Sequence, residues 1–189
     1  MKRIMNVRLY CCLLFAGFLF QSCSKEDIAQ ESQLKISNAT TVTTADMVGS
    51  WDITKMMADV EVDLNSTPGG SKNLLDETDC FNTMSITFDA NGTFVSNNAS
   101  MSFESGDGDD FSCLSDRMDS GTWNIVDNKL VLNISINGSD YTHEKAIDLG
   151  SDTFAFDVTK IESDQYVNDP GNTRASEIRI LMLEYTRAK

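Results

Sequence analysis

The sequence predicts an all-β fold, an eight-stranded antiparallel up-and-down barrel. Three observations point to it. From Met47 onward there is almost no helical periodicity, only short alternating runs rich in Ile, Val, Thr, Phe and Tyr. Tight-turn residues separate most of these runs, so sequence neighbours are expected to pair as an antiparallel meander. The runs number eight, the count at which such a sheet closes around side chains or one small ligand. Closure is expected to remove both sheet edges.

The first run, about 50–62, carries Trp51, Ile53 and Lys55 on one parity and Met56, Ala58, Val60 and Val62 on the other. That switch predicts a bulge near Met56 and Met57. NSTPGGS reads as a loop. The clearest hairpin follows: MSITF places Met84, Ile86 and Phe88 on one face, and DANG turns the chain with Gly92 in a left-handed position. The register sets Phe88 opposite Phe94, Ile86 opposite Ser96 and Met84 opposite Asn98. TWNIV (122–126) carries Trp123 and Ile125 together, and Asp127–Asn128 turn it into KLVLNISI (129–136), with Leu130, Leu132, Ile134 and Ile136 alternating. A run at about 140–149 shows Tyr141, His143, Lys145, Ile147 and Leu149 on one face. The next shows Phe154, Phe156 and Val158, and a loop containing NDPGN leads to the last run, about 176–187. An immunoglobulin-like sandwich is disfavoured, since no tryptophan lies between Cys80 and Cys113.

GSWDIT (49–54) and GTWNIV (121–126), 72 residues apart, hold both tryptophans of the chain. The phrase reads as the start of a strand: the glycine permits a tight turn, and the tryptophan supplies a large apolar plug whose indole N–H can seek a carbonyl. The two strands lie an odd number of crossings apart and run in opposite senses. Trp51 and Trp123 are therefore expected at opposite ends of the barrel, unless residues 64–80 or 99–119 hide a further element.

The N-terminus has a basic start (Lys2, Arg3, Arg8) and an apolar run, LYCCLLFAGFLF, too short for a permanent span. Ser22 before Cys23 resembles the lipobox of a bacterial lipoprotein, in which Cys23 would receive the lipid. An ordinary signal peptide cut nearby is the alternative. SKED after Cys23 resembles the acidic export tag of Bacteroidetes surface lipoproteins. These resemblances imply a signal peptide over 1–22, a lipidated tether over 23–45 with a reach of ~25 Å, and a barrel domain over 46–189. They imply a bacterial outer-membrane protein exposed at the cell surface and touching the membrane through its lipid alone.

On that reading Cys11 and Cys12 leave with the signal and Cys23 is lipidated. Cys80 and Cys113 remain, an even pair in an exported chain, expected to form one disulfide. A zinc pair is the competing idea, but His143 is the only histidine available to complete it. Removing Lys2, Arg3 and Arg8, and no acids, takes the formal net charge from −14 to −17. Such acidity argues against nucleic acid as a partner.

Six acids fall within 104–119. Calcium is conceivable there, but the spacing does not match an EF-hand, and a solvated acidic loop pinned by Cys113 is the better reading. If its face points inward, His143 joins Tyr141 and Lys145 at a pocket mouth; otherwise these are surface residues. No nucleophile pairs with His143, and neither H-E-x-x-H nor a phosphate-binding glycine loop occurs. No catalytic residue, cofactor or metal is therefore assigned, and no enzymatic activity is expected.

The order of motifs carries a resemblance: a G-x-W strand, a cysteine before the ITFDANGTF hairpin, a second cysteine, GTW, then LGSDTFAF and a closing EYTR. The pattern, over about Met47 to Arg187, resembles the lipocalin-like domain of Bacteroidetes lipoproteins. The resemblance implies that Trp51 plugs the closed barrel end and that Arg187 packs over it. One expectation is a binding module whose interior holds a small hydrophobic or amphipathic molecule, with Met84, Ile86, Phe94, Ile134, Tyr141, His143, Phe154 and Phe156 as candidate lining. A monomer is expected. The alternative is a surface interaction protein with a filled barrel and functional loops. Interior volume separates the two, with about 300 Å³ or more favouring a ligand.

Overall fold

The computed structural model describes residues 41–66, 68–104, 110–136, 138–168 and 178–189. The expected signal peptide, Cys23 and all but the last residues of the expected tether lie outside them, as do 105–109 of the acidic stretch and 169–177 with its NDPGN turn.

Eight strands form the barrel: β1 (Gly49–Val62), β3 (Ser85–Phe88), β4 (Thr93–Phe103), β5 (Phe111–Val126), β6 (Lys129–Ile136), β7 (Ser139–Leu149), β8 (Thr153–Asp157) and β10 (Ile180–Arg187). Each pairs antiparallel with the next, and β10 returns to β1, with Trp51 opposite Arg187, Ile53 opposite Tyr185 and Ala58 opposite Ile180. Two short strands supplement them: β2 (Ser71–Asn73) pairs with β1, and β9 (Val167–Asn168) pairs parallel with β4.

Alternation explains the hairpins in detail. Phe88 faces Phe94, Ile86 faces Ser96, and the Asp89 amide donates to the Thr93 carbonyl at 2.8 Å. Gly92 has φ +86°, which closes the turn without a Cβ penalty. Asp127 and Asn128 both have positive φ, the two-residue turn whose twist matches that of the flanking strands. The β1 register slips between Ile53 and Lys55, and burial passes from Trp51 and Ile53 to Met56 and Ala58, so the expected bulge is present.

The second tryptophan phrase behaves differently from expectation. β5 starts at Phe111, well before Gly121, and descends toward the barrel floor, so Trp123 lies near its end. Trp51 lies near the start of ascending β1. Both tryptophans therefore reach the same floor: Phe88 lies 4.8 Å from Trp123 and 6.1 Å from Phe154, which meets Trp51 edge-on at 4.9 Å. Gly121 starts no strand. A Cβ there would stand 2.0 Å from the Asn133 carbonyl oxygen and 3.1 Å from the Phe94 ring, so the glycine permits close packing inside the wall. Within 99–119 the described residues form the upper halves of β4 and β5, and Asp116 and Asp119 belong to β5.

The wall closes fully only toward the floor. β5 pairs with β6 from Gly121 to Val126, and β7 pairs with β8 only from Ile147 to Leu149. Above those points the β6–β7 ribbon splays away from both neighbours among the described residues, so upper strand edges remain.

Short helices fill the corners. α1 (Thr44–Met47) opens on a cap in which the Thr43 amide and hydroxyl both donate to the Asp46 carboxylate, at 2.9 and 2.6 Å. Val42 is buried, and its amide donates to the Asn128 side chain at 3.0 Å, so the packed domain reaches back at least to Val42. One-turn 3-10 segments at Leu74–Asp76 and Asp79–Phe81 bury Leu74, Cys80 and Phe81. Cys80 and Cys113 form a disulfide with Cα atoms 5.2 Å apart, tying the second segment to β5. α2 (Lys160–Tyr166) packs against β4, β9 and β10, and buried Ser163 accepts the Ile180 amide at 2.8 Å. Its T-x-x-E capping box, Thr159 with Glu162, is a helix-start pattern legible in the sequence but not used above.

Candidate functional site: a cavity above the tryptophan floor

The floor is sealed from below. Gly49 has φ +130°, and a Cβ there would come within 2.7 Å of the Arg187 guanidinium. The space left by glycine lets Arg187 lie over Trp51, 4.1 Å from the ring centroid, and donate to the carbonyls of Val48 at 2.8 Å and Asp46 at 2.7 Å. The Trp51 indole donates to Met47 O at 2.8 Å, and Trp123 donates to Asp89 O at 3.0 Å.

Above the floor lies a cavity of about 630 Å³. Its apolar wall comes from alternate positions on several strands: Ile86 of β3, Phe94 of β4, Leu130, Leu132 and Ile134 of β6, and Phe156 of β8. Tyr185 of β10 stacks on both Phe154 and Phe156, at 5.2 and 6.2 Å between centroids. Ile161, Glu162, Gln165 and Tyr166 come down from α2, and Tyr141, His143 and Lys145 line the side formed by β7.

Six of the eight expected lining residues meet here: Ile86, Phe94, Ile134, Tyr141, His143 and Phe156. Met84 and Phe154 do not line the cavity. Both are buried in the core, Met84 just ahead of β3, where its carbonyl accepts the Ile53 amide, and Phe154 wedged between Trp51 and Tyr185. Parity alone placed them on the inner face, but Phe154 lies in the floor layer below Phe156, while Met84 lies above Ile86, outside the β3–β4 ladder, with its amide bonded to the Phe81 carbonyl.

Residues 47–156 match the family described as a lipocalin-like domain. The chain belongs to the lipocalin-like domain family. No curated protein matches its sequence. In this lipocalin-like barrel the eight-stranded wall surrounds the cavity, and the G-x-W floor with its covering arginine lies beneath it.

Polar residues of the lipocalin-like cavity gather in two groups. Arg117 donates to Asp119 at 3.2 Å, and Asn98 donates to Asp119 at 2.9 Å and to Ser96 at 3.0 Å. Lys145 pairs with Glu162, donates to the Asp157 carbonyl at 3.1 Å and lies 5.5 Å from the Phe156 ring centroid. His143 Nδ1 lies 3.7 Å from Glu162. Burial alone would raise the Glu162 pKa, but hydrogen bonds from Lys145 and from the Thr159 amide and hydroxyl outweigh it and hold the carboxyl below its ordinary value. Burial pushes the Tyr166 phenol up to about 12 and the Tyr185 phenol well above the ordinary tyrosine value.

The sequence reading missed Ser96, Asn98, Arg117, Asp119 and the α2 residues. On β5, polar composition masked the alternation of Arg117, Asp119, Gly121 and Trp123. Glu162 could have been found from its capping box, but its contact with Lys145 is tertiary and leaves no local trace.

Proposed function

We propose that this protein is a lipid-anchored lipocalin-like carrier that holds one small hydrophobic or amphipathic molecule in its barrel and performs no catalysis. The observation that carries the reading is the cavity of about 630 Å³ above a sealed floor. It lies within the ~300–1,000 Å³ usual for small-molecule sites and tells against a filled barrel. An apolar wall with two polar groups set into it suits an amphiphile. The cavity groups serve as orienting contacts: Lys145 and Glu162 occupy each other, and His143 lies beside the same Glu162.

The anchoring half of the proposal rests on the basic and apolar N-terminus and on Ser22–Cys23 followed by SKED. On this reading Cys23 carries the lipid, and the acidic, monomeric domain is displayed at the outer-membrane surface on a polar tether, with no affinity for nucleic acid.

A thermal-shift panel of single-chain amphiphiles tests the binding role. A ligand at a hundred times its Kd stabilises by about 2.7 kcal/mol, so at least one amphiphile class is expected to raise Tm by several degrees. The expected rise disappears in a Leu132→Trp variant, whose indole fills the lumen. A flat response across the panel contradicts the binding role. Palmitate labelling of cells producing the protein, lost in Cys23→Ala, tests the anchor.

A further inference from the structure

The charges around the cavity are already matched, while several neutral groups are not. Arg117 is satisfied by Asp119, and Lys145 by Glu162 and the Asp157 carbonyl. With His143 neutral, the lining holds two cations and two anions and carries no formal net charge. By contrast, the Tyr185 and Tyr166 hydroxyls and the Gln165 amide make no hydrogen bond to any described residue, although all three residues line the cavity. Tyr185 is buried, Tyr166 half-buried and Gln165 exposed, and the polar ends of all three have open cavity space before them instead of a protein partner. The phenols are close enough for Tyr166 to raise the Tyr185 pKa further, and both are protonated donors at neutral pH, as an ordinary phenol is.

A ligand can bond a cavity-facing polar group that has no protein partner without breaking an existing pair, and gains accordingly. An ionised head group gains nothing comparable. It either enters without a counter-charge or displaces a partner from an existing pair, leaving that partner unpaired in a desolvated place. The Lys145–Glu162 pair is the harder to open: the Lys145 side chain is 12% exposed and that of Glu162 23%, against 50% and 26% for Arg117 and Asp119.

We propose that the buried polar group of the ligand is uncharged, a hydroxyl or carbonyl received by Tyr185, Tyr166 and Gln165, with the apolar part of the molecule lying against Phe94, Leu132 and Phe156. This rests on the binding role proposed above and narrows it to neutral amphiphiles. Lys145 and Glu162 act as a selectivity element, each blocking the other from a charged head group.

Calorimetric titration of the purified full-length protein with three dodecyl probes tests it. The probes are 1-dodecanol, dodecanoate and dodecylammonium, at a mildly alkaline pH where acid and amine are both ionised. Dodecanol is expected to bind at least about tenfold more tightly than either ion. Tyr185→Phe keeps the ring stack and is expected to weaken dodecanol about fivefold. Glu162→Gln keeps a capping-box residue but frees Lys145, and the dodecanoate-to-dodecanol affinity ratio is expected to rise about tenfold. An ion that binds wild type as tightly as dodecanol overturns the inference and leaves the binding role standing. So does unchanged dodecanol affinity in Tyr185→Phe. Failure of all three probes to bind wild type removes the binding role and the inference with it.

Discussion

Arg187 and Trp51 sit opposite one another at the seam where the last strand meets the first, with the guanidinium 4.1 Å from the indole centroid. The contact joins three functions in one side chain. It covers the floor ring, satisfies two carbonyls at the N-terminal approach to β1, and closes the barrel at its seam.

Arg187→Ala is accordingly expected to cost about 2–4 kcal/mol, combining a cation–π contact with the loss of charge-assisted hydrogen bonds. Arg187→Lys is expected to recover only part, because a point charge cannot bond both carbonyls and lie flat on the ring. Urea denaturation of the three proteins measures this; a loss in Arg187→Ala within about 0.5 kcal/mol of zero, the range of ordinary surface substitutions, contradicts the sealing role.

Gly121→Ala tests the revised meaning of the repeated phrase. Its Cβ would fall 2.0 Å from the Asn133 carbonyl oxygen, so the β5–β6 pairing must shift. The expected cost is about 2–4 kcal/mol. Were Gly121 only a turn residue at the start of a strand, alanine would cost about 1 kcal/mol or less.

The Cys80–Cys113 bridge closes a loop across a sequence separation of 33. A paired Cys80→Ser, Cys113→Ser variant is expected to lose about 3–4 kcal/mol. The loss falls on the segment around Phe81 that covers upper β4 and β5, so hydrogen exchange there is expected to speed up more than at the floor. Uniform acceleration contradicts that placement.

The acid limb of the stability profile reports Glu162. Its carboxyl binds a proton less readily in the native protein than in the unfolded chain, where the ordinary value applies. Its contribution is therefore complete above the unfolded pKa of about 4.3 and fades as pH falls through the lower native value. Glu162→Gln is expected to flatten this limb, and an unaltered limb contradicts the pairing with Lys145. At the other extreme, Tyr166 and Tyr185 hold their protons longer in the native state. Stability is expected to fall as pH rises above about 10, the unfolded phenol value, toward the native Tyr166 value of about 12. A Tyr166→Phe, Tyr185→Phe double variant is expected to flatten that fall.

The wall was legible in the sequence because alternation is a local pattern. The Phe88–Phe94 register, the β1 bulge, Gly92 and the seam from Trp51 to Arg187 all follow from parity and turn chemistry. Height along the barrel was less legible. Phe154 has the right parity but lies in the floor layer, and Met84 has it but lies ahead of β3 beside the Phe81 segment. Trp123 was placed at the wrong end because Gly121 reads locally as punctuation, whereas its true constraint is Asn133 on the neighbouring strand. The Lys145–Glu162 pair joins a strand to a helix across the mouth, a juxtaposition set by the closed fold.

Native mass spectrometry of the protein purified from its source cells tests the central claim most directly. The account expects a stoichiometric small-molecule adduct on the wild-type barrel and none on Leu132→Trp. Wild-type protein that repeatedly carries no adduct, and takes none up when exposed to a total lipid extract of those cells, would contradict it.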